Sequence, residues 1–182
     1  SGTVLTAVAD DKFGTEAAYK YFYISLVASF FMLLAIGCLY VSYGTLNMAD
    51  LGAKVALDGE RPLLWPAIAL LLAFFMVKCA AVPFHFWQPD FHAAAPTPVS
   101  AMLSSVVVKL GVYGFLRMTL LLFVAQAPTI RLILLAAGVI GVIFGGLSAL
   151  GTHNVKRMLA YSTLAQVGFI LVAIGWGTEL AL

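Results

Sequence analysis

The sequence predicts an all-α fold, a polytopic bundle of membrane-spanning helices, and three observations point there. Hydrophobic residues make up 63% of the chain and charged residues only 10%, where soluble domains carry roughly 25% charged residues. Mean hydropathy is +1.03. The apolar residues fall in five long stretches, Tyr21 to Tyr43, Pro62 to Trp87, Pro96 to Leu116, Leu132 to Leu150 and Met158 to Gly177, and a helix crosses a bilayer in roughly 17–25 residues. The runs are apolar on all sides, without the alternation over roughly ten positions that a barrel strand needs.

With their flanks included, the helices are expected at about 14–43, 62–87, 96–124, 130–150 and 154–177, all in one transmembrane domain over 1–182. The longest polar connection, Gly44 to Arg61, is too short to hold a core of its own. Residue 1 is Ser, TVLTAV (Thr3 to Val8) reads as the tail of an earlier helix, and Leu180 to Leu182 stop just after a span. The expectation is a fragment of a larger protein, and no signal-peptide pattern is visible.

The first span opens with Glu16 and Lys20, which are four apart and read as an interfacial pair. The second carries the most informative residue. Lys78 follows a charge-free run from Pro62 to Val77, and Pro83 stands five residues further on. A lysine at the centre of a membrane helix costs roughly 2.5–3.5 kcal/mol on insertion scales, so such residues usually line proton or ion pathways. Proline cannot donate the hydrogen bond that the Cys79 carbonyl would receive, so a helix break beside Lys78 is expected at Pro83. Broken helices at membrane depth are tolerated where water, side chains or neighbouring helices satisfy the freed groups, and transporters use them at ion sites. Burial disfavours the charged form of a lysine, which lets a lysine so placed load and release a proton.

The third span holds a second lysine, Lys109, after the charge-free run from Phe91 to Val108. A spacing of four puts Ser105, Lys109 and Tyr113 on one helix face, where the two hydroxyls could order water. The fourth span contains GVIGVIFGG (Gly138 to Gly146), whose small residues permit close helix approach. In the fifth, Lys156 and Arg157 lead in, and Ser162 and Gln166 share a face. That pair either bridges helices or supports a water chain.

His85 and His92 flank the polar turn WQPD, and His153 lies in the loop before the fifth span. His85, seven residues after Lys78, is on the same face if the helix survives Pro83, which makes it a candidate exit-side proton relay. Cys38 and Cys79 lie on different spans, form no CxxC and read as small apolar packers. No Asp or Glu occurs inside the spans, so this stretch offers no set of oxygen ligands for sodium and no metal site. No cofactor motif and no catalytic residue in the enzymatic sense is seen. Net charge is +2 with the basic residues dispersed, which gives no nucleic-acid surface. Lys12, Lys20, Lys156 and Arg157 on one side balance Lys54, Arg61, Arg117 and Arg131 on the other, so charge does not set orientation.

The run KCAAVPFHFWQPDFHAAAPTPVSAMLSSVVVKLGVYGFLRM (Lys78 to Met118) resembles the broken seventh helix and the eighth helix of the antiporter-like subunits shared by multisubunit sodium/proton (Mrp) antiporters and respiratory complex I. EAAYKYF (Glu16 to Phe22) and VKRMLAYSTLAQVG (Val155 to Gly168) support the likeness, which covers nearly the whole chain. GTLNMADL (Gly44 to Leu51) is most similar to the Mrp D subunit. The resemblance implies helices six to ten of a roughly fourteen-helix subunit. It makes Lys78 the central lysine and Lys109 the relay lysine of a proton path. The glutamate partner on helix five and the charged residue on helix twelve would fall outside this sequence.

Three functions compete at this point. One is a subunit of a multisubunit cation (sodium)/proton antiporter, a secondary transporter rather than an enzyme. Another is a proton-pumping membrane subunit of complex I or a related membrane-bound hydrogenase, with the redox cofactors in other subunits. The last is a scaffold that only packs helices, and mid-membrane lysines argue against it. The resemblance also implies other membrane subunits and lipid as partners, protons and sodium as cargo, and a cell (inner or plasma) membrane. WQPD and THNVKR would face the cytoplasm and Gly44 to Arg61 the outside.

Overall fold

The computed structural model describes residues 12–177, and every regular element in that range is helical. In chain order they are α1 (Lys12–Tyr43), α2 (Met48–Asp58), α3 (Leu64–Lys78), α4 (Trp87–Ala94), α5 (Thr97–Met102), α6 (Val108–Arg117), α7 (Ala127–Leu150) and α8 (Val155–Trp176). A π-helical turn, Leu103–Val107, joins α5 to α6, and a second, Met118–Leu122, extends α6. Together 97–122 make one continuous span, and with α1, α7 and α8 it is long and apolar enough to cross a membrane. TVLTAV and Leu180 to Leu182 lie outside the described residues.

Two ends are set by local chemistry that the sequence spells out. The Asn154 side chain accepts from the amides of Lys156 (3.0 Å) and Arg157 (3.4 Å), capping the start of α8. Gly177 ends it in the left-handed conformation at φ 65°. Between those ends α8 lies along α7, and the contact depends on missing side chains. A Cβ on Gly138 would stand 2.7 Å from the Gly168 carbonyl oxygen, and one on Gly145 would stand 2.9 Å from the Ala165 nitrogen. The small residues of GVIGVIFGG thus bring two backbones together.

Three expectations need correction. The stretch from Pro62 to Trp87 is broken as expected, but the break comes earlier than Pro83: α3 is only 15 residues long and stops at Lys78, five residues before the proline. Proline disfavours the helical region for the residue before it as well as removing a donor, so the chain leaves the helix upstream. The polar connection Gly44 to Arg61 contains a helix, α2, capped by Asn47, whose side chain accepts from the Ala49 amide at 3.1 Å. Leu51 and Val55 bury one side of α2, while Asp50 bonds the Thr45 hydroxyl and then Lys54, which hold its carboxyl below the usual carboxylate range. In the third span, regular α-helix is interrupted by the two π turns. In the second of them Thr119 donates to the carbonyls of Phe115 (2.9 Å) and Leu116 (3.2 Å), a back-bond that competes with the helical ladder.

The main core lies where α1, α3, α6, α7 and α8 meet, around Leu64, Ile68, Phe115, Ile130, Leu134 and Leu171. A smaller apolar cluster around Trp87, Phe91 and Leu103 packs under Tyr21 of α1. It sits beside the break.

Candidate functional site

The break itself is built by reassigning backbone hydrogen bonds. Past Lys78, the Cys79 amide still bonds the Phe75 carbonyl at 2.9 Å, but the Ala81 amide reaches back to Met76 at 2.9 Å. Ala80 adopts φ 53°, a left-handed value uncommon for a residue with a side chain. The Val77 carbonyl accepts from the Ala80 amide at 3.2 Å and from the Trp87 indole Nε1 at 3.2 Å. The residue that restarts the helix thereby satisfies a carbonyl left where it stopped.

Gly111 of α6 lets the neighbouring span touch this irregular backbone. A Cβ there would lie 2.8 Å from the Cys79 nitrogen and 2.9 Å from the Cys79 Cβ. Lys78, half-buried, is the last helical residue, and its Nζ lies 6.0 Å from the centroid of the Phe74 ring. Among the described residues no carboxylate pairs with it. Phe74, Phe75, Val107, Leu110 and Gly111 wall a cleft of about 330 Å³ around Lys78.

Lys109 is exposed and has no ion pair or side-chain hydrogen bond among the described residues. Because Val107, Leu110 and Gly111 face Lys78, a turn of roughly 100° per residue puts Lys109 on the flank of α6 turned away from that cleft. Ser105 and Tyr113 do not line the cleft either. Ser105 donates to the Met102 carbonyl at 3.4 Å, and the Tyr113 hydroxyl accepts from Arg117 Nε at 2.7 Å. Ser105 lies in the π turn Leu103–Val107, and Lys109 and Tyr113 keep their spacing of four within α6.

The other side of the break is a charged and polar end. Asp90 of α4 bonds Lys20 of α1 at 3.1 Å through one carboxylate oxygen and Arg157 of α8 at 2.9 Å through the other. Lys20 also pairs with Glu16 at 2.8 Å, as expected. Lys156 donates to the Ala95 carbonyl at 3.0 Å, closing the C-terminal end of α4. One short helix is thus tied to both neighbours, and WQPD lies at the same end of the bundle as VKR.

A polar cleft of about 270 Å³ opens here, lined by His92, Ser100, Ser104, Ser162, Thr163 and Gln166 among others. Ser162 and Gln166 are brought together in it. His92 Nδ1 meets Ser100 Oγ at 2.5 Å, and Ser104 bonds Thr163 at 3.0 Å across the two spans. His85 is half-buried with its ring 4.6 Å from that of Phe144, and His153 is exposed in its loop. Cys38 and Cys79 are both free thiols. Among the described residues no group of three or more His, Cys, Asp or Glu could hold a metal ion.

Sequence reasoning passed over Trp87, Asp90 and His92 as contributors to this site. Trp87 and Asp90 had a signal in the polar WQPD turn, since an indole N–H or a carboxylate in an apolar run must find a partner.

A helical bundle with a lysine at the end of a broken span and a polar cleft beyond the break defines a polytopic membrane protein built around an interrupted helix. More specifically, residues 2–182 match the family model described as NADH:quinone oxidoreductase/Mrp antiporter, TM, and the chain belongs to that family. It is 36% identical over 171 residues to NADH-quinone oxidoreductase subunit N of Desulforudis audaxviator (strain MP104C), covering 91% of this chain and 34% of that protein. With NADH-quinone oxidoreductase subunit M of Rickettsia prowazekii (strain Madrid E) it shares 35% over 169 residues, with the same coverage of 91% and 34%.

Two solved structures extend the likeness. A chain in the Mrp complex from Dietzia sp. DQ12-45-1b superposes with a TM-score of 0.85 at 26% identity, covering 94% of this chain and 31% of that one. A chain of the membrane-bound sulfane sulfur reductase, an archaeal respiratory membrane complex, gives 0.87 at 35% identity, covering 96% and 36%. The sequence therefore spans about a third of the length of the relatives it matches, as part of a larger antiporter-like protein.

Proposed function

We propose that this chain carries protons across a membrane, with Lys78 as the group that loads and releases them and Lys109 as the next station. The observation that carries the reading is the place of Lys78: last helical residue before a mid-span break, against an aromatic ring, with no carboxylate partner among the described residues. Burial disfavours the charged form of an ammonium so placed, which lets it load and release a proton. His85, the polar cleft with Ser162 and Gln166, and the hydroxyls of Ser105 and Tyr113 are the supporting groups. Passage from Lys78 to Lys109 has to go around α6 rather than straight across the Lys78 cleft, because Lys78 ends α3 against one flank of α6 while Lys109 leaves α6 on another.

The protein acts within a hetero-oligomeric complex of membrane subunits, in a cell (inner or plasma) membrane, with WQPD and VKR toward the cytoplasm. As first assignment it is a subunit of a cation/proton antiporter, with sodium as the coupled ion. That is favoured by GTLNMADL, most similar to the Mrp D subunit, and by the likeness to a chain of the Mrp complex. A second reading, a proton-pumping subunit of a respiratory oxidoreductase without redox chemistry in this chain, is favoured by the relatives named subunits N and M.

Purification of the native complex separates the two. Small membrane subunits alone, with sodium-dependent proton flux in vesicles, support the antiporter. Co-purifying iron–sulfur and quinone-site subunits support the second reading, and a complex with no proton flux of either kind contradicts both.

A further inference from the structure

One face of α4 and of the turn before it carries buried polar atoms that neither the ion pairs nor the cleft account for. Gln88 is fully buried, yet neither its Nε2 nor its Oε1 has a hydrogen-bond partner among the described residues. Four residues on, His92 is 3% exposed; Ser100 takes its Nδ1, but its Nε2 has no partner. Three residues before Gln88, His85 also buries its Nδ1, with the Pro83 carbonyl nearby but outside hydrogen-bonding geometry. The Gln88 amide bonds the His85 carbonyl at 3.0 Å, which carries the helical turn back to His85. Spacings of three and four then place all three side chains on one face.

The adjoining face of α4 is sealed by aromatic packing, Tyr21 lying 5.0 Å from Trp87 and 4.7 Å from Phe91 between ring centroids. Burial decides what could satisfy the polar stripe. Gln88 is enclosed by residues of this chain, so no further helix and no partner subunit can reach its amide. An unpaired donor and acceptor on one buried side chain is rare and costly in native proteins. A hard cation does not fit, since one carboxamide oxygen and two imidazoles offer too few oxygen ligands, and among the described residues no group of three or more His, Cys, Asp or Glu could hold a metal ion.

We propose that Gln88 centres a buried water site, in which water bridges its carboxamide to His92 Nε2 on one side and to His85 Nδ1 on the other. Water suits these groups because it both donates and accepts, and a buried water typically makes about three hydrogen bonds. His92 then joins two compartments, meeting the polar cleft through Nδ1 and Ser100 and the water stripe through Nε2. The stripe runs from that cleft back toward the break at Lys78. Its role as a segment of a proton path rests on the lysine relay proposed above; the presence of the water does not.

The test begins with a map of the full-length protein in its native complex at a resolution that shows ordered water. Density within hydrogen-bonding distance of the Gln88 amide and of His92 Nε2 is expected. A Gln88 amide bonded directly to protein groups, or packed only against carbon, overturns the site. A second measurement is the melting temperature of Gln88→Leu, with Gln88→Met as an unbranched alternative should the leucine fail to fold. In a dry site, removing an unpaired amide should raise the melting temperature. A water site predicts no gain or a fall, since His92 Nε2 loses its bridge, and a clear rise in either variant overturns it. In vesicles Gln88→Leu should slow proton transport by about tenfold, and wild-type rates would remove the water from the path. Should Lys78→Ala transport normally, the relay fails while the map and the melting temperatures still decide the water site.

Discussion

The indole Nε1 of Trp87 donates to the Val77 carbonyl at 3.2 Å, linking the end of α3 directly to the start of α4 across the break. Trp87 is 3% exposed, so the bond is shielded from solvent and lipid alike. An interruption held this way is a defined structure, and it fixes where Lys78 stands relative to the polar end.

Trp87→Phe keeps an aromatic ring against Tyr21 but removes the N–H together with part of the buried indole. The Val77 carbonyl retains the Ala80 amide, so the lost bond itself costs about 1 kcal/mol, and the lost buried volume adds to it. Thermal unfolding of the purified complex reads it, together with faster hydrogen exchange in 79–86. Unchanged exchange there would mean the indole does not hold the break.

Gly111→Ala places a Cβ against the Cys79 backbone, where no side chain can swing away. Overpacking of this kind costs about 1–3 kcal/mol. Gly146→Ala is the control, since a Cβ there meets nothing within 4 Å, and it should be neutral or slightly stabilising. Equal melting temperatures for the two variants would contradict the close approach of α6 to the break.

The spans and the fold class were legible because a bilayer demands long apolar helices, and the composition of each stretch met that demand. The lysines and Pro83 were legible because they violate it. The position of the break was not, since the stop at Lys78 depends on Ala80 taking a left-handed φ and on an indole ten residues along the chain. The bonding of Ser105 and Tyr113 was not legible either, since it is set by the Met102 carbonyl and by Arg117 one turn away, and a π turn leaves almost no trace in side-chain pattern. Asp90 looked like turn decoration until α1 and α8 were brought to it.

Asp90 joins α4 to both neighbours, so its pairs should be energetically coupled. Partly exposed ion pairs contribute about 0.2–1 kcal/mol, and a double-mutant cycle of Asp90→Asn with Arg157→Gln should return a coupling in that range. Additive losses would leave Asp90 a bystander at the polar end.

If Lys78 and Lys109 act in series, removing both should be scarcely worse than removing the more damaging one. Proton flux in Lys78→Ala, Lys109→Ala and the double variant gives the comparison. Losses that multiply as independent effects would mean the lysines serve separate routes.

The most direct measurement is proton-coupled transport by Lys78→Ala in vesicles containing the assembled complex, with Lys78→Arg beside it. The relay account expects both to lose transport while assembly is intact, alanine because it holds no proton and arginine because its guanidinium stays charged and cannot cycle one. Wild-type rates in an assembled Lys78→Ala complex would contradict it.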